Sequence, residues 1–195
     1  HGHADAVLGL DDLRHYTRFR SPCKDPLTVY CDEDTFSVVR SSFGYLVNTR
    51  TATGSGDVAS LMFSPHMAPF VPFLIGDVEI VPMQVEHGLH PDGTPYMCNA
   101  FLIDRKIIFM SDVSFVPEAV YRFIAEQFLE SPPELLILDC LFPNRDMQSH
   151  VGWPGAQQII KRLCPKQTLL VGMDHSIEHS SFDAEISETA RLSYD

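Results

Sequence analysis

The 195-residue chain has no Cys-x-x-Cys pair; its five cysteines, Cys23, Cys31, Cys98, Cys140 and Cys164, stand singly and far apart. That spacing excludes a thiolate zinc ribbon and a disulfide framework, and it suits reduced thiols in a cytoplasmic compartment. Positive charge is scarce. Lys and Arg number 14 against 26 Asp and Glu, a formal net charge of −12, which counts against a surface that tracks phosphate backbones through clustered cations. Nucleic acid is therefore a disfavoured partner, while a small anionic substrate beside a metal ion is not excluded. Long apolar runs are missing too. The stretch 67–75 is interrupted by Pro69 and Pro72 and falls short of the roughly 20 residues that cross a bilayer, so no membrane partner is expected. There is no internal repeat and no low-complexity tract.

What is present is ordinary for a globular chain: 45% hydrophobic and 21% charged residues, in a length that suits one domain over residues 1–195. Residues 27–30 (LTVY) read as a short strand, followed by a helix capped by Asp34 with Phe36, Val39 and Phe43 on one face. Residues 49–57 (TRTATGSGD) read as a flexible excursion. Strands are expected over 77–85, 96–103 and 106–110, with the turn HPDGTP between the first two and Pro82 marking an edge or bulge. A helix is expected over 117–129 with proline at its start, a buried strand over 135–138, a helix over 154–163 and a strand over 168–173. Interspersed strands and helices mean a mixed α/β architecture.

The chemistry sits where the strands end. His87 follows one, Asp112 follows IIFM, Asp139 closes LLILD, and His175 lies just beyond LLVGM; strand ends deliver side chains to a common rim. At the opposite end of the chain, HGHAD places His1, His3 and Asp5 at alternate positions. In extended chain these converge on one point. Imidazole and carboxylate suit Zn, Mn or Fe. Taken singly, each piece has an ordinary explanation: a histidine after a strand is usually a hydrogen-bonded rim residue, an aspartate there a turn or cap. His15, His66 and His90 have only that explanation. The combination carries the functional reading.

HGHADAVLGLDDLR, VEHG at 85–88, Ser111-Asp112-Val113-Ser114, Leu138-Asp139 and Ser149-His150 together resemble the metallo-β-lactamase superfamily. More narrowly, they resemble the branch containing the phosphonate-pathway cyclic phosphodiesterase and the pyrroloquinoline-quinone biosynthesis protein. The resemblance runs along nearly the whole chain and implies a four-layer αββα sandwich with a metal site at one edge. It also implies that strands before the metal motif, and a short continuation after Asp195, lie outside these residues. Carried across position by position, it implies that His1, His3 and His87 bind a first divalent ion, Zn or Mn. Asp112 would then bridge to a second ion that Asp5 also serves. Two positions depart from the family. Ala6 stands where a histidine is usual, and Gly172 where the late ligand falls. His175 could replace that ligand, with His179 the alternative; HADA with Gly-Met-x-His resembles a eukaryotic-type variant of the branch.

Two site readings stay open. Either a second metal position is remodelled around Asp5 and His175, or the site is mononuclear and Asp5 orients or deprotonates water. The resemblance assigns His150 to protonation of the leaving oxygen, for which an imidazole near neutral pH is suited; Asp139, at a strand end, is read as orienting a ligand imidazole. The expected activity is metal-dependent hydrolysis of a phosphodiester or other small ester by metal-bound hydroxide. The alternatives are a metal-binding protein with a structural or sensing role, and a nuclease, which the acidic balance disfavours. The expected partner is a small molecule, and a homodimer is left open.

Overall fold

The protein is described here by a computed structural model, which covers residues 1–17, 25–54, 56–183, 186 and 190–193. The chain divides into two compact units, 1–68 and 69–195, joined within the proline-interrupted stretch noted above.

In the first unit HGHAD opens directly into helix. His3 is the N-cap of α1 (Ala4–Val7), which continues into a 3-10 helix, Leu8–His15. Strand β1 (Leu27–Tyr30) pairs in parallel with β2 (Leu61–Ser64), Leu27 opposite Leu61. Parallel neighbours need a long crossover, which here contains α2 (Glu33–Ser42), α3 (Gly44–Val47) and a 3-10 turn, Thr49–Thr51. The cap of α2 is Asp32, not Asp34: Asp32 Oδ1 accepts from the Thr35 amide at 2.7 Å. Asp34 lies inside the first turn with Glu33, where negative charge faces the positive end of the helix dipole. Val39 and Leu46 are the buried anchors of the two helices, and Phe36 packs on Phe63 of β2 with ring centroids 5.6 Å apart. Of the excursion expected at 49–57, the first three residues form the 3-10 turn, whose cap Asn48 accepts from the Arg50 amide; Ser55 lies outside the described residues.

The second unit is built on a seven-stranded sheet in simple sequence order: β3 (Phe73–Ile75), β4 (Val78–Leu89), β5 (Pro95–Ile103), β6 (Ile107–Met110), β7 (Leu135–Asp139), β8 (Gln167–Val171) and β9 (Ala190–Leu192). The first four are an antiparallel meander, and β6 to β9 run parallel. The switch is dictated by connection length: tight turns join the early strands, whereas α4 (Glu118–Gln127), α5 (Trp153–Leu163) and α6 (His179–Asp183) lie in the links of the later ones. Leu136 and Leu138 of β7 and Leu170 of β8 are fully buried, as are Met83, Val85, Ala100, Leu102 and Ile108 of the meander. Val120 and Ile124 of α4, and Ala156 and Ile159 of α5, supply the helical side of this core. Pro82 sits beyond the reach of β3, whose pairing stops at Ile80. Its carbonyl accepts from the Phe70 amide, and since a residue's N and C=O point to the same side of a strand, the missing donor falls on that open side.

Strand β4 is longer than its sequence pattern suggests, and His87 lies inside it. The β4–β5 register slips between Glu86 and Leu89, with Gly88 at φ +93°. This bulge re-aims His87. The loop after β7 is equally constrained. Asp146 Oδ1 accepts from the amides of Gly152 and Gly155 at 2.8 and 3.0 Å, closing the loop onto the start of α5. A Cβ on Gly152 would lie 2.6 Å from the Phe142 carbonyl oxygen and nearer still to that of Arg145. Gly152→Ala is therefore expected to lower the melting temperature by several degrees, a cost of about 1–3 kcal/mol or more, and to unseat the adjoining residues 149–151. Thermal unfolding followed by circular dichroism checks it; an unchanged midpoint would contradict the close approach.

The described cysteines form no disulfide; burial pushes the Cys31 and Cys140 thiols up to about 11 and about 12. Among the described residues no helix is long and apolar enough to cross a membrane.

Candidate metal centre

In the first unit the alternating triplet does not stay extended. Its chain turns helical at Ala4, so His1 and Asp5 meet as i and i+4 neighbours, with His1 Nε2 3.8 Å from Asp5 Oδ1. The His1 and His3 rings meet edge to face with centroids 4.6 Å apart. Asp5 is largely exposed.

In the second unit three elements converge. His87 comes from the bulge of β4, Asp112 from the segment after β6, and His150 from the loop before α5. Each can bring a ligand atom within 4.8 Å of the others', and the His87 and His150 rings lie edge to face at 4.8 Å. Hydrogen bonds set the tautomers. His87 is almost wholly buried, and its Nδ1 lies 2.7 Å from the Ser149 carbonyl oxygen. A carbonyl only accepts, so Nδ1 carries the proton and Nε2 is the atom that offers a lone pair. His150 Nδ1 lies 2.7 Å from Asp139 Oδ2 and donates to it. That leaves Nε2 to carry or accept a proton.

The short motif Ser111-Asp112-Val113-Ser114 does structural work at each position. Ser111 Oγ donates to Asp112 Oδ2 at 2.6 Å, fixing the carboxylate. The Val113 amide donates to Asp139 Oδ2 at 3.1 Å. Ser114 Oγ donates to the Glu86 carbonyl and accepts from the Gly88 amide, each at 3.1 Å, clamping the backbone on both sides of His87. Asp139 is fully buried. Burial pushes its carboxyl above the ordinary carboxylate value, opposed chiefly by the hydrogen bond from His150.

Asp139 therefore orients the imidazole of His150, itself one of the residues that could hold an ion. The imidazole orienter at His87 is a backbone carbonyl, for which sequence carries no signal. Gly88 follows at φ +93°, a backbone conformation that a side chain would strain. The other candidates stand apart. His175 is almost fully exposed, 3.4 Å from Asp174, and His179 heads α6; among the described residues neither joins the His87–Asp112–His150 group. His15, His66 and His90 are exposed.

Gly172, where the late ligand was expected, has φ +75°, and a Cβ on it would meet Asp139 Oδ1 at 3.0 Å. A larger side chain there strains the backbone and presses on the carboxylate that holds His150. Gly172→Ala is expected to cost about 1 kcal/mol or more of stability and to shift the His150 imidazole resonances in NMR spectra. Unshifted resonances would show that Asp139 is indifferent to this position.

The family model of the beta-lactamase superfamily domain matches residues 1–173, running through both units. A crystal structure of a diphosphatase from the PhnP family superposes on the whole chain with a TM-score of 0.79 at 22% identity, the chain covering 66% of that protein. Zn²⁺-bound PqqB from Methylobacterium extorquens does so with a TM-score of 0.64 at 15% identity and 69% of its length. An octanoyltransferase of Porphyromonas gingivalis (strain ATCC BAA-308 / W83) is 28% identical over 125 residues, which are 64% of this chain and 24% of that protein. The solved structures share the mixed α/β fold expected from the resemblance, and the family match spans most of the sequence: the chain belongs to the beta-lactamase superfamily domain family.

Proposed function

We propose that the protein is a metal-dependent hydrolase of a small-molecule phosphodiester. The observation that carries this reading is the Asp139–His150 pair, 2.7 Å apart, held beside His87 and Asp112. Metal-dependent hydrolysis of an alkyl ester uses carboxylate and imidazole groups to hold a cation and a proton donor for the departing oxygen. Both kinds of group are present in this one unit.

The buried His87 with its donor fixed at Nδ1, and the Ser111-oriented carboxylate of Asp112, fit a divalent ion by donor chemistry. Zn or Mn is the metal in this reading, and the sequence motif offers His1, His3 and Asp5 as further donors. A bound divalent ion supplies Lewis acidity to a phosphoryl oxygen and lowers the pKa of water toward about 7. The chain's own part in the reaction falls to His150. As the oxygen of a water that has released one proton to solvent bonds to phosphorus and the ester P–O bond breaks, Nε2–H gives its proton to the departing alkoxide. The imidazolium becomes neutral, and Nδ1–H stays on Asp139. The Asp139 carboxylate holds the ring through Nδ1–H, leaving Nε2 as the reacting nitrogen.

The test is a preparation loaded with Zn or Mn, its metal-to-chain ratio determined, assayed on phosphodiester, thioester and lactam substrates. Turnover of the phosphodiester that disappears on chelation and returns with metal is expected. Undiminished turnover in stripped protein, or hydrolysis of the other classes alone, would overturn the reading.

A further inference from the structure

One buried thiol at the rim of the sheet has no part in the chemistry above: Cys98, on β5. Along that strand Cys98, Ala100 and Leu102 are buried and the residues between them only partly so, which puts the three on the inner face of the sheet. The neighbouring strands fix what Cys98 meets there. Its cross-strand partner in β4 is Val85, two residues before His87. On the other side the register pairs Phe101 with Phe109 and Ile103 with Ile107. Carried on past Met110, where β6 ends, the same antiparallel register sets Asp112 beside Cys98.

The side chains follow the backbone. Cys98 Sγ and a carboxylate oxygen of Asp112 lie within 4.8 Å of each other, and Asp112 also comes that close to His87 and His150. A tetrahedral zinc ion holds a sulfur and an oxygen ligand about 3.5 Å apart, so thiol and carboxylate are within a side-chain adjustment of sharing an ion. Among the described residues Cys98 and His87 do not fall into one such group; Asp112 links them, as a carboxylate with two oxygens can. The Ser111 hydroxyl holds Asp112 Oδ2 at 2.6 Å and so aims both oxygens.

Donor count points the same way. A zinc site takes four ligands, or three and a water. With His150 as the proton donor, the second unit offers the imidazole of His87 and the carboxylate of Asp112, and Cys98 is the further donor it places beside them. Burial alone does not make a cysteine part of the centre. Cys140, just after β7, is as deeply buried and joins no group of ligand atoms among the described residues.

We propose that Cys98 is a ligand of the metal centre: with Asp112, its thiolate holds a thiophilic divalent ion, zinc in preference to manganese. The S–H proton leaves to solvent as the metal–sulfur bond forms, with no change of oxidation state. A soft sulfur donor strengthens the hold on zinc and adds little for manganese, which favours oxygen. The proposal rests on the reading of this site as a metal centre, and its test does not depend on hydrolysis.

The experiment is X-ray absorption at the zinc edge on the full chain loaded with Zn²⁺, alongside optical spectra of the Co²⁺-loaded protein. A sulfur shell at about 2.3 Å from zinc and a thiolate-to-cobalt charge-transfer band in the near ultraviolet are expected. Both should vanish in Cys98→Ala and Cys98→Ser and persist in Cys140→Ala. The two Cys98 variants should bind Zn²⁺ at least about 100-fold more weakly, the upper end of what changes behind the ligands cost, and bind Mn²⁺ as the wild type does. Thermal midpoints separate a lost ligand from a lost fold, and serine keeps nearly the volume of cysteine. Sulfur ligation that depends on Cys98 in a protein that hydrolyses no phosphodiester would uphold the ligand and defeat the hydrolase reading alone. Hydrolysis by a zinc centre with nitrogen and oxygen ligands only, or a sulfur shell unchanged in the Cys98 variants, would overturn the proposal.

Discussion

His150→Ala lowers kcat for a dialkyl phosphodiester by about 10²–10⁴-fold, the range for losing a positioned general acid, and lowers it far less for a p-nitrophenyl ester. The difference follows from the role assigned to Nε2–H. An alkoxide is a strong base and leaves only with a proton, whereas p-nitrophenolate departs unaided. Asp139→Asn should move the same ratio in the same direction, because Asp139 Oδ2 accepts a hydrogen bond from His150 Nδ1 at 2.7 Å and holds the ring in place. The Val113 amide also rests on that oxygen, so Asn at 139 disturbs the segment bearing Asp112, and thermal unfolding should accompany the kinetics. The measurement is paired with metal content. Retained metal and a leaving-group-dependent loss support a proton donor; loss of metal with equal losses on both esters would assign His150 to the ion, which its reach to the His87 and Asp112 ligand atoms allows.

The second large effect is expected at His87. Its replacement by Ala removes a buried imidazole and leaves the Ser149 carbonyl without its donor. Metal affinity should fall by more than the 10–100-fold that changes to groups behind the ligands cost, and hydrolysis should fall with it. His87→Gln keeps a hydrogen-bond donor in the same space and separates the two losses. It should recover stability, since an unpaired buried carbonyl costs about 1–3 kcal/mol, and leave metal affinity low. Wild-type metal affinity in both variants, by calorimetric titration with Zn²⁺, would remove His87 from the ligand set.

Much of the second unit was legible from one-dimensional patterns. Wholly apolar runs such as LLIL and TLLV became buried parallel strands because only a strand covered on both faces accepts side chains of that kind at every position. The periodicity and prolines around 117–129 and 154–163 placed α4 and α5 within a residue or two. Misreadings arose where a local rule met a competing partner. Asp32 took the cap expected of Asp34 because the distance to the Thr35 amide, which sequence does not contain, decides between neighbouring aspartates. His87 proved to lie within a strand because a bulge at Gly88 breaks the alternation that would mark the strand's continuation.

What the sequence by itself determined is the inventory and its order: imidazoles and carboxylates without thiolate pairs, an acidic balance, and motifs specific enough to assign the family. Hydrophobic periodicity and motif spacing are local properties, and they survive without knowledge of the fold. Only the tertiary structure decided which partner each functional side chain has. Asp139 and His150 are eleven residues apart, and the Ser149 carbonyl meets a histidine sixty-two residues away; nothing in local spacing encodes either meeting. Those contacts set which ring nitrogen holds a proton and which offers a lone pair. The proposed chemistry depends on that assignment, because it separates a ring nitrogen that can offer a lone pair from one that can only donate.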